Sequence, residues 1–208
     1  MNDLNATTSL VEAALKGAWT TVTQLLESGA NPNVCAPEGM PLLVFTTLAA
    51  QREAVQVLLS RGANVNARGP AGWSSLAWAA FHGMRDISSD LLRAGADVSG
   101  VDDLGRTPLM YAAMMGHAAV AEDLIAARAR LDQQDFTGRT ALIFSAMAGQ
   151  KDAAVLLLKA GANRDLKDRA GNTALTVAHG YGREAVFVLL GSRPPRTPAP
   201  RRGLRPRR

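Results

Sequence analysis

A pattern that returns at a fixed interval constrains this chain more than its composition does. Residues 102–117, DDLGRTPLMYAAMMGH, show it most clearly. Thr107 stands where a helix N-cap is expected, its hydroxyl able to accept from the free N–H groups of the first turn. Pro108 follows at the first helical position, where a missing N–H costs nothing. Leu109, Ala112 and Ala113 fall at i, i+3 and i+4, giving a short helix one small-residue face. Gly116 ends that helix by turning left-handed without a Cβ penalty. Ahead of the cap, Asp103-Leu104-Gly105 has the composition of a tight turn. The stretch predicts a turn, a capped helix and a stop.

The cap position recurs at Thr8, Pro41, Ser74, Thr140 and Thr173, and the stop glycine at Gly17, Gly83, Gly149 and Gly182, with Ala50 the exception. A second helix ends in Leu-Leu-x-x-Gly-Ala over residues 25–30, 58–63, 91–96 and 157–162, while residues 124–129 read LIAARA in that slot. A 33-residue period with a TPLxxAA core resembles the ankyrin repeat family. The resemblance covers residues 5–191 and implies an all-α fold, a solenoid of stacked β-turn/helix–loop–helix units. On that frame residues 1–4 precede the array and 5–36 make an N-terminal capping unit, its helices over 9–16 and about 19–27. Residues 37–69 make a divergent second unit, 70–102, 103–135 and 136–168 three regular ones, and 169–191 a truncated C-terminal cap. In the second unit Pro41 replaces the capping threonine and Thr46 and Thr47 replace the paired alanines. Their extra bulk, and hydroxyls that need partners, predict a loosened first helix there.

The formal charge of +5 misleads, because Arg193, Arg196, Arg201, Arg202, Arg205, Arg207 and Arg208 supply seven positive charges at one end. Without those seven the remainder carries −2, so the high pI belongs to the tail. Residues 192–208, SRPPRTPAPRRGLRPRR, have no hydrophobic periodicity and are expected to be disordered. No apolar run approaches the roughly 18 residues of a membrane span. The first fifteen residues lack a basic flank followed by an apolar core, so no signal peptide is expected. Cys35 is alone and cannot form an internal disulfide. A reducing, cytoplasmic setting follows, or export by a route that needs no cleaved leader.

Chemistry is mostly missing. His82, His117 and His179 fall at three different positions of the repeat, so stacking would not gather them around a metal. His117 occupies the family's usual Gly-His slot and reads as structural. The TPLH histidine of the family is replaced by Val44, Ala77, Met110, Ile143 and Thr176, so its turn–helix hydrogen bonds must come from elsewhere. Asp102, Asp103, Asp135 and Asp168 resemble a carboxylate cluster, but they recur at the turn, where Asp is favoured for bonding to backbone. Asn5-Ala6-Thr7 fits a glycosylation acceptor by spelling only. No hydrolase elbow, Walker loop, zinc-helix or paired-cysteine pattern is present. The chain is read as a non-enzyme with no catalytic residue, metal or cofactor.

The positions outside the framework carry the functional reading. Family members bind protein partners through hairpin fingertips and the ends of the inner helices, along a concave face. Here the resemblance implies Leu48, Phe81, Met114 and Met147 as a row, one from each successive unit, with Met115 and Tyr181 one position on. Leu104 and Phe136 stand at fingertips, and Trp73, Arg106 and Arg139 immediately before the cap. Trp73 is the expected anchor, an aromatic with little to pack on in its own unit, and the two arginines are expected to meet an acidic rim. Trp78, Tyr111 and Phe144 are assigned to packing between units. The reading is a monomeric interaction module for an unknown protein partner. The alternative puts function in the tail, whose seven arginines would bind nucleic acid or an anionic membrane with the repeats as carrier. Without interleaved aromatics such binding would be sequence-blind, and nucleic acid is not the expected partner.

Overall fold

A computed structural model of the chain describes residues 3–191, with side chains from Thr8 onward. The tail arginines, Arg193 to Arg208, and the expectation of disorder there lie outside the described residues. Twelve helices among the described residues form six antiparallel pairs. These are α1 (Asp3–Leu15) with α2 (Trp19–Glu27), α3 (Leu42–Leu48) with α4 (Arg52–Ser60), and α5 (Ser75–His82) with α6 (Arg85–Arg93). The rest are α7 (Pro108–Met115) with α8 (Ala118–Ala126), α9 (Ala141–Ala148) with α10 (Lys151–Ala160), and α11 (Ala174–Gly180) with α12 (Glu184–Gly191). The odd-numbered helices stack on one another from α3 to α11, and the even-numbered ones from α2 to α12. Strand content among the described residues is one two-residue pair, β1 (Cys35–Ala36) against β2 (Met40–Pro41). The architecture is an all-α solenoid, and no described helix is long and apolar enough to cross a membrane.

Local chemistry places the helices. Ser74, Thr107, Thr140 and Thr173 each accept from the backbone N–H three residues on, at 3.2–3.3 Å. The bonds that a TPLH histidine would support come partly from Met110 and Thr176, which accept from the N–H of Thr107 and Thr173. Pro41 has no side chain to cap with, and α3 is one residue shorter than α5, α7 and α9. The hydroxyls of Thr46 and Thr47 are nevertheless satisfied, both donating to the Leu43 carbonyl inside a formed, buried helix. The expected start of the first helix is corrected. α1 runs from Asp3, so Thr8 lies within it and not at its N-cap. Residues 3–7, where the repeat phase would place a hairpin, are helical instead.

Several sets of contacts join the units. Leu58, Leu91, Leu124, Leu157 and Leu190, one per unit in a single register, are buried, and each contributes roughly 1.5–3 kcal/mol on leaving water. Along the loops, side chains of Asn33, Asn66, Ser99 and Asp132 accept from the backbone N–H of Asn64, Asp97, Arg130 and Asn163 in the next unit. At the fingertips the N–H groups of Asp103, Phe136 and Arg169 donate to the carbonyls of Ala71, Leu104 and Thr137. That last contact brings backbone against backbone, which is why Gly105 is required. Its φ is +77°, and a Cβ there would sit 3.0 Å from the Phe136 nitrogen.

The outer helices carry ionic rungs. Arg52 of α4 reaches Asp86 at 3.2 Å and Asp90 at 2.8 Å on α6, and Arg85 of α6 reaches Asp123 of α8 at 2.8 Å. The Asp90 side chain is only 4% exposed and also holds Arg93 at 2.8 Å and Gln56 at 2.9 Å. Hydrogen bonds from Arg52 and Arg85, the largest influence in each case, hold Asp90 and Asp123 below the ordinary carboxylate range against the opposing effect of burial.

Two outcomes are expected. Gly105→Ala destabilises the array by about 2 kcal/mol in urea titration, from left-handed strain plus backbone contact; an unchanged midpoint would show that the tips separate freely. A carboxylate depressed on folding contributes stability above its unfolded pKa of about 3.9 and loses it as pH falls through the folded value. Thermal stability should therefore hold from neutrality to about pH 5 and fall below about pH 4. In Asp90→Asn the deficit relative to the native chain shrinks over that lower interval, whereas a constant deficit would remove Asp90 from the transition.

Candidate partner-binding face

The inner helices align the expected row by register. Leu48 closes α3, and Phe81, Met114 and Met147 take the penultimate positions of α5, α7 and α9. Leu48 is exposed while Phe81, Met114 and Met147 are half-buried against the core. Met115 is exposed one position on. Tyr181, in the C-cap of α11, is likewise exposed. Leu104 and Phe136 project from successive fingertips, 52% and 57% exposed, the Phe136 ring lying over the Gly105 backbone. Large apolar groups thus remain in contact with water at two levels of the array, the fingertips and the inner-helix ends.

Trp73 departs from expectation. It is half-buried, its ring centroid 4.3 Å from both Trp78 and Tyr111 and 5.5 Å from Phe81. The ring lies between its own unit and the next, so the expectation that it has little to pack on in its own unit does not hold. Trp78 makes ring contacts inside its own unit, on Trp73 and Phe81 and in a near-parallel stack with His82. Tyr111 and Phe144 are buried as expected of residues between units. The Tyr111 hydroxyl donates to the Asp102 carboxylate in a short bond. Burial first, then that bond, raises its pKa far above the usual phenol range, so it remains a neutral donor.

Arg106 and Arg139 occupy the same slot as Trp73, one and two units on. The Arg106 guanidinium stands 5.2 Å above the Phe144 ring, in the geometry of a cation–π contact. Its Nε is 3.7 Å from Asp135, and Arg139 Nε is 3.9 Å from Asp168. Both carboxylates are buried turn residues. In each of Asp102, Asp135 and Asp168 one oxygen accepts two backbone N–H groups of its own turn at 2.8–3.0 Å. The aspartates are therefore turn-formers, as their spacing implied. Each arginine already faces a carboxylate of the following hairpin turn. Asp103 is exposed and pairs with Arg68 at 3.3 Å.

The histidines stay apart. His117 Nε2 lies 3.1 Å from the Phe81 carbonyl and donates to it when protonated there. His82 and His179 are exposed. Gln150 and Arg183, at the His117 position of the next two units, donate to the carbonyls of Met114 and Met147. This ladder caps the inner helices directly beneath the apolar row. Sequence reading missed it, because His, Gln and Arg share only a donor at that spacing. No group of three His, Cys, Asp or Glu side chains among the described residues is placed to hold a metal.

A stack of paired helices joined by hairpins, each unit closed by its neighbour, defines a helical repeat protein. A family profile described as ankyrin repeats (3 copies) matches residues 10–102, 47–135 and 122–197, and the chain belongs to the ankyrin repeat family. Ankyrin repeats are generally protein–protein interaction modules. No curated protein matches the sequence.

Trp73→Ala is expected to cost about 2–3 kcal/mol in chemical denaturation, below the full-burial range because the ring is half-exposed. A loss under about 0.5 kcal/mol would return Trp73 to the surface residues.

Proposed function

We propose that the chain is a non-catalytic module that holds a protein partner on the fingertip and inner-helix face of its array. The observation that carries this reading is the apolar exposure aligned there. Leu48, Phe81, Met114 and Met147 run in one register, with Leu104, Met115, Phe136 and Tyr181 exposed around them. Apolar exposure gathered in phase on one face is costly in water unless something covers it. Half-buried residues also favour recognition, because a side chain already fixed by its own core loses little entropy on binding. Arg106 and Arg139 support the reading as fixed donors beside the row, their orientation held by Asp135 and Asp168. Trp73 contributes indirectly, by holding Phe81 and Tyr111 in place. The module works as a monomer in a reducing, cytoplasmic setting, in keeping with Cys35 as an exposed free thiol.

The test uses exposed members of the face, whose loss leaves folding intact. Leu104→Ser with Met115→Ser should keep the native melting temperature and reduce partner capture about 10- to 100-fold, the loss of two apolar anchors. Undiminished capture by a folded double variant would refute the reading.

A further inference from the structure

The ionic rungs on the outer helices stop where the register says another should stand. Arg52 pairs with Asp86 and Arg85 pairs with Asp123, each arginine reaching into the next unit. The next position in the series is Ala118. Asp152, in phase with Asp86 two units on, has no cation of the described residues at ion-pair distance. In place of the rung is a groove of about 340 Å³ between α8 and α10, lined by Ala118, Ala119, Val155 and Leu156 with Glu122 and Asp152 on its two sides. Lys159 also lines it, about two helical turns beyond Asp152 along α10. The shape suits an arginine: a methylene stem over alanine, valine and leucine, and a guanidinium at Asp152.

The chain carries such arginines next door. α12 packs on α10 and ends at Gly191, where residues 192–208 begin with their seven arginines and no acid. The groove lies one helix away and toward the opposite end of α10, roughly 20 Å in all. Residues 192–201 span up to about 33 Å when extended, so the backbone reaches as far as Arg201 with length to spare. The repeat body, at −2, complements the tail at +7. Joined at Gly191, the tail meets the groove at about millimolar effective concentration, at which an otherwise weak pairing is populated.

We infer that residues 192–208 dock on the outer-helix face, with one of their arginines filling the vacant rung between Ala118 and Asp152. This site is separate from the proposed partner face and survives the loss of that reading. Docked, the tail also withholds its positive charge from other anionic surfaces.

The full chain tests it, with Cys35→Ser and Thr197→Cys carrying a nitroxide spin label, read by amide NMR. The amides of Ala119, Val155 and Leu156 should lose at least about half their intensity relative to the reduced label. They should recover on Ala118→Arg, which supplies the rung internally, and equally on Asp152→Asn, which leaves the apolar floor untouched. About 0.5 M NaCl should act the same way. Broadening spread evenly over the array, or unchanged in a folded Asp152→Asn chain, overturns the inference. So does broadening that appears on label-free chains mixed with labelled ones, which would make a second copy the occupant.

Discussion

Adjacent units meet backbone to backbone at the hairpin tips, and the rest of the array is spaced by that approach. The Phe136 N–H reaches the Leu104 carbonyl at 3.0 Å, and the Asp103 and Arg169 N–H groups make the same bond to Ala71 and Thr137. Only a glycine at the turn lets the next hairpin come so near, which ties Gly105 and Gly138 to the spacing of the array. A single unit cannot bury its helical faces or satisfy its loop amides. Each borrows both from its neighbour, through the leucine seam and the Asn33, Asn66, Ser99 and Asp132 acceptors. The stack is polar-bonded at both edges and apolar in the middle.

A surface built this way has a fixed pitch, and the candidate face inherits it. The slot before each cap serves one purpose with different chemistry: Trp73 covers Tyr111 and Arg106 covers Phe144, each at the same position of the next unit. Where the slot is an arginine, a buried aspartate of the next turn faces it. Beneath the row of Phe81, Met114 and Met147, donors from His117, Gln150 and Arg183 close the helix carbonyls. The backbone of the row is therefore hydrogen-bonded from the following unit.

Most of the fold was legible because its determinants are local. A cap hydroxyl, a left-handed glycine and a small-residue face act within one helix, and their recurrence fixed the frame. The start of α1 was misread because the repeat phase was extended into a unit that lacks the hairpin imposing it. The donor ladder was hidden because three unlike residues share a hydrogen bond but no composition. The loop acceptors were open to view, Asn33, Asn66, Ser99 and Asp132 keeping strict spacing, yet their partner is a backbone amide that leaves no mark in the sequence.

By itself the sequence determined the all-α repeat architecture, the caps at Ser74, Thr107, Thr140 and Thr173, the aspartate turns and the alignment of Leu48, Phe81, Met114 and Met147. These depend on contacts within a repeat and on period alone. Tertiary structure decided which of the aligned side chains stay in water. Trp73 is pulled between Trp78 and Tyr111, Arg106 and Arg139 are drawn toward Asp135 and Asp168, and Leu104 and Phe136 are left outside. Exposure is a property of the neighbouring unit, and each neighbour differs in the residues that the repeat does not fix.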